Sequence, residues 1–65
     1  MSPRTRKQYE ITIITTDKQH TLYLSAMHST YAIVHALSIL GLSALGMRDI
    51  AYEGEYRAII NHNGK

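Results

Sequence analysis

TLYLSAMHSTYAIVHALSILGLSALGM runs from Thr21 to Met47. It contains no Lys, Arg, Asp or Glu, and it carries His28 and His35. Three readings compete: a membrane span, a metal or catalytic helix, and the spine of a small domain. A span needs about 20 predominantly apolar residues, and here His28, Ser29, Thr30, His35, Ser38, Gly41 and Ser43 interrupt the run. Gly41 is placed to stop a helix as its left-handed C′ residue, with Leu42 set to touch Leu37. That leaves about 15 helical residues, roughly 22 Å, which is too short to cross. The stretch therefore divides into a strand, TLYLS, a helix, AMHSTYAIVHALSIL, and a stop with a connector, GLSALGM.

Ser25 is the expected N-cap of this helix. Projected at about 100° per residue, Ala26, Thr30, Ile33, Val34, Leu37, Leu40 and Gly41 fall on one side, and His28, Tyr31, Ala32, His35, Ser38 and Ile39 on the other. The first side is the expected core face.

Upstream, YEITII alternates in a β-branched composition, so Tyr9, Ile11 and Ile13 share one side of a strand. A turn at Asp17-Lys18 pairs Ile13 with Leu22 and Ile11 with Leu24, which gathers the aliphatics of both strands on one face. Downstream, MRDIAYEGEYRAII reads as a second hairpin. A three-residue loop Tyr52-Glu53-Gly54 would use Gly54 in the left-handed position and set Asp49 opposite Arg57. Ile50, Tyr52, Tyr56, Ala58 and Ile60 then face inward. The expected fold is α+β, in the order β-β-α-β-β: a largely antiparallel four-stranded sheet with one helix on one face, the first strand being central. Residues 1–7 form a flexible basic arm, 8–61 the domain and 62–65 a polar tail.

A chain of 65 residues buries only about 60% of the surface it exposes when unfolded. Without cysteine it has neither disulfides nor thiolate metal sites. Self-association or a partner is the remaining means of extra burial. The apolar tract does not follow the basic residues directly, so no secretory signal is expected and the default setting is cytoplasmic.

Several chemistries are disfavoured. His28 and His35 lie seven residues apart, about 10.5 Å along a helix, whereas two ligands for one metal come at i and i+3 or i+4. No acid lies near either histidine in sequence, and no Ser-His-Asp or paired-carboxylate spacing is present. GLSALGMR has the glycine spacing of a phosphate loop but lacks its Lys-Ser/Thr and follows a helix. No cofactor, metal or enzymatic activity is expected.

Two binding classes remain. Apolar and aromatic residues rimmed by polar ones mark interfaces, which points to His28, Tyr31, His35 and Ile39 on the outer helix face and to Ile14, Tyr23 and Ile59 on the outer sheet face. The first expectation is a protein-interaction domain of adaptor or inhibitor type, including those of mobile genetic elements, acting as a homodimer or on a protein partner. The alternative is a nucleic-acid-binding domain, with Arg4, Arg6 and Lys7 on phosphates and Arg57 on the outer sheet face.

Overall fold

The computed structural model describes residues 6–63. They form β1 (Lys7–Ile14), β2 (Gln19–Ala26), α1 (Ser29–Leu40), a 3-10 turn (Ala44–Gly46), β3 (Met47–Gly54) and β4 (Arg57–His62). The strands make one mixed sheet in the order β2-β1-β4-β3. Both hairpins are antiparallel and the central pair, β1 with β4, is parallel.

In the first hairpin the turn closes one residue earlier than its sequence suggests. The Thr15 amide donates to the Lys18 carbonyl at 2.8 Å, and the Thr15 hydroxyl accepts the Lys18 amide at 3.1 Å. That hydroxyl secures a Thr16-Asp17 tip, so Ile11 faces Leu22 and Ile13 faces His20. A slip of two leaves every side chain on its own side, and the expected core face survives. Because Thr15 and Lys18 exchange a bond, alternation makes Thr12–Thr21 and Glu10–Tyr23 the non-bonded pairs of the ladder. Accordingly the Glu10 amide turns away from β2 to the Tyr56 carbonyl, 2.9 Å away. By the same alternation, Thr21 and Tyr23 point their N–H and C=O groups out of the sheet edge.

The second hairpin departs further. β3 runs through Gly54, the tip is Glu55-Tyr56, and Ile50 faces Ile60. Asp49 faces Asn61 in place of Arg57, and its carboxylate accepts the Asn61 side-chain amide at 2.6 Å. Irregularities between Met47 and Asp49 and between Tyr52 and Gly54 absorb the mismatch. The first of them turns Met47 into the core, although its place in the alternation assigns it to the outer face. Among the described residues only Gly41 has a positive φ, so Gly54 is not the left-handed residue that its position suggested.

Helix α1 starts three residues later than the Ser25 cap predicts. Ser25 and Ala26 are instead paired with Gln8 and Lys7, and Ala26 is buried, so ladder bonds and burial outweigh an early cap. His28 becomes the N-cap and provides no side-chain bond. The other end matches the sequence: Gly41 has φ 71°, with Gly41 N–H to Ser38 O at 3.1 Å and Leu42 N–H to Leu37 O at 2.9 Å. This is a Schellman stop. The buried residues are Ala32, Ile33, Ala36 and Leu37. Ala32 was expected outside and Val34 inside; two alanines let the backbone approach the sheet, where Val34 would hold it off.

Tyr9, Ile11, Ile13, Leu24, Ala26, Ala58 and Ile60 complete the core with those four helical residues. β3 contributes none of these, although its Met47, partly buried, packs against them. Ile50 and Tyr52 lie opposite Ile60 and Ala58, on the helix side as expected, but they remain exposed because α1 packs on β1 and β2. Tyr56, also expected inside, is exposed at the hairpin tip with its ring edge-on to Tyr9 at 5.5 Å. His62 is no part of a solvated tail. It ends β4, is 3% exposed, and its Nε2 lies 2.6 Å from the Ser43 carbonyl.

Candidate functional site

The surface that stands out is the outer side of α1. The 3.6-residue period that sinks Ala32, Ile33, Ala36 and Leu37 into the sheet leaves Tyr31, Val34, His35, Ser38 and Ile39 outside. Tyr31 is 59% exposed, Val34 50% and Ile39 55%. No charged residue accompanies them: the first turn has no acid and the last turn no base. A solvated helix normally carries Lys and Glu on this side, where i,i+4 pairs and the helix dipole reward them. The His28 ring stacks obliquely near Tyr31, with centroids 5.6 Å apart, so the exposed tyrosine is held beside the N-cap.

Four of the residues singled out in the sequence, His28, Tyr31, His35 and Ile39, thus belong to one exposed surface. Val34 joins them and was missed, because its place on the projection depended on where the helix begins. Leu45, on the 3-10 turn, is also solvent-exposed; nothing in its sequence context signals this.

The outer sheet face does not gather its candidates into one patch. Ile14 and Ile59 are half-buried around Thr12, while Tyr23 stands 73% exposed at the sheet edge opposite Glu10. Glu10 also holds the Arg57 guanidinium at 3.5 Å. Arg4 lies outside the described residues. Arg6 donates to the Ser25 carbonyl at 2.7 Å, and the Lys7 ammonium sits 5.9 Å from the centre of the Tyr56 ring. Each of these three cations is engaged by a different partner.

A cleft of about 410 Å³ opens where the two hairpins meet, lined by Tyr9, Glu10, Tyr23, Glu53, Tyr56 and Arg57 among others. The Glu55 carboxylate, hydrogen-bonded to the Tyr56 phenol, raises the pKa of that phenol above the ordinary tyrosine value, with desolvation adding to it. Among the described residues no group of three His, Cys, Asp or Glu is placed to hold a metal ion, and no helix is long and apolar enough to cross a membrane.

No protein family, curated protein or solved structure matches this chain.

An aromatic, two branched aliphatics and two imidazoles on a rigid helix can bury apolar area and donate or accept a few hydrogen bonds. That is the equipment of a binding surface.

Proposed function

We propose that this chain is a non-enzymatic protein-interaction domain that docks through the uncharged outer face of α1 and acts as a homodimer. One observation carries the reading: Tyr31, Val34 and Ile39 are each at least half exposed on a single helix face with no charged neighbour on that helix. Tyrosine is a favoured anchor because it offers large amphipathic area at little rotamer cost, and the flanking polar residues supply a rim. The adaptor or inhibitor class fits a domain whose binding surface is a helix face and not a cleft.

Glutamate in place of Tyr31 or Ile39 provides the test. Both side chains are exposed, so the fold should persist by far-UV circular dichroism, while association read by sedimentation equilibrium should weaken at least about tenfold per buried charge, the effect of about 1.4 kcal/mol. Unchanged association in both variants, with the fold intact, would remove α1 from the interface.

A further inference from the structure

The sheet has two edges, and they are built differently. β3 carries Arg48, Asp49 and Glu53 and two irregularities in its pairing. Charges and bulges are the means by which natural edge strands avoid recruiting another chain. β2, QHTLYLSA, has no charged residue, no proline and an unbroken eight-residue register with β1. The outward N–H and C=O groups of Thr21 and Tyr23 meet no hydrogen-bond partner among the described residues. Among the described residues only the end of this edge is covered, where Arg6 takes the Ser25 carbonyl.

From this asymmetry we infer that β2 pairs antiparallel with β2 of a second copy, extending the sheet to eight strands across a two-fold axis. The inference rests on the homodimer reading above and names its geometry. A two-fold axis along the sheet normal keeps both helices on the same side and makes the contact self-complementary, each edge supplying the donors and acceptors that the other lacks. Centred on Leu22, the pairing sets Thr21 opposite Tyr23 of the second copy on both sides of the axis. No charge opposes a like charge, because Gln19 to Met47 contains none.

The spacing brings the helices together as well. Since α1 packs on both β1 and β2, its axis lies about half a strand spacing inside β2, roughly 2.4 Å. Joining two β2 edges about 4.8 Å apart then separates the two helix axes by about 10 Å, the upper end of the distance at which helices pack. β2 and β3 run in the same direction, and the right-handed course that connections between such strands follow almost without exception turns the flank with His35 and Ile39 toward the β2 edge. A stable interface takes about 800 Å² from each partner, roughly one sixth of the 4615 Å² surface. Strand pairing alone does not supply that much. The helix flank has to take part, and it carries no charge.

The test sets β2-edge variants against a β3-edge control. Thr21→Lys and Tyr23→Lys place ammonium groups at the proposed seam, and Ala51→Lys places one on the other edge; all three side chains are exposed, and circular dichroism checks the fold. By sedimentation equilibrium the unaltered chain should have twice its formula mass. Both β2 variants should dissociate at least about tenfold more readily, and Ala51→Lys should match the unaltered chain. Amide exchange adds a direct readout, since the Thr21 and Tyr23 amides should be protected in the dimer and exchange freely in the lysine variants. A dimer that keeps its affinity in both β2 variants, with those amides unprotected, overturns the edge pairing. If that dimer is still broken by Tyr31→Glu and Ile39→Glu, the helix-face reading stands without it. A chain that stays monomeric at millimolar concentration overturns the second copy as occupant and leaves α1 to a different protein.

Discussion

The half of the molecule built from β2 and α1 and the half built from β3 and β4 are held by different forces. The first has no charged side chain and contributes six of the buried apolar residues: Leu24, Ala26, Ala32, Ile33, Ala36 and Leu37. In the second, Ala58 and Ile60 are buried on β4, but β3 is exposed throughout except at Met47. That strand is held by its ladder to β4, by Asp49 on Asn61, and by the Asn63 amide on the Gly46 carbonyl at 3.0 Å. Simple geometry explains the division. A 12-residue helix is about 18 Å long and roughly 10 Å across, enough to roof two strands spaced about 4.8 Å apart and not four. The strands under the roof gain a core. β4 reaches that core through Ala58 and Ile60, while β3 relies on main-chain pairing and polar contacts and carries charges of the kind that discourage recruitment at an edge strand.

Cutting a large side chain from each half should produce very different losses of stability. Leu37 is almost fully buried between helix and sheet, so Leu37→Ala should cost about 2 to 5 kcal/mol, a large part of what so small a domain has. Ile50 is 36% exposed on β3, and Ile50→Ala should cost no more than about 1 kcal/mol. Urea denaturation of both variants measures the difference. Equal losses would mean that the β3 side has a core of its own.

A subtler cut is Gly41→Ala. A Cβ at this position meets nothing within 4 Å, but the backbone φ of 71° lies in the left-handed region. The cost is therefore conformational alone, about 1 to 2 kcal/mol, and falls on the stop that ends the roof. Thermal unfolding reads it, and an unchanged midpoint would show that the helix end does not depend on this residue.

Which parts of this were legible in the sequence follows from which signals are local. The strand faces of Tyr9, Ile11, Ile13, Leu22 and Leu24 came from a period of two, which no turn geometry can disturb so long as the slip is even. The helix stop at Gly41 came from a motif complete within six residues. The helix start did not, because Ser25 is both a good cap and a residue of a strand already paired with β1, and that pairing is a long-range fact. Val34 and Ala32 exchanged sides for the same reason. The second hairpin was misplaced because Glu53-Gly54 looks like a turn, whereas Ile50 against Ile60 and Asp49 against Asn61 reward a longer β3. His62 was invisible as a core residue, since only the fold brings the Ser43 carbonyl to it. Of the candidate surface, the uncharged outer helix face was legible from its missing Lys and Glu. The contrast between the two sheet edges required the strand order.

A smaller loss is expected from the ion pair between the two central strands. Glu10 and Arg57 are neighbours across the parallel β1–β4 pair, 3.5 Å apart, with side chains 31% and 59% exposed. An ion pair this open to water is worth about 0 to 1 kcal/mol. Arg57→Ala should therefore lower stability by less than about 1 kcal/mol, and the difference from the unaltered chain should shrink further in high salt, which screens exposed charges over distances beyond about 3 Å at 1 M. Denaturation at low and high ionic strength measures both. A loss above about 2 kcal/mol that persists in salt would show this pair acting as a structural clamp between the halves.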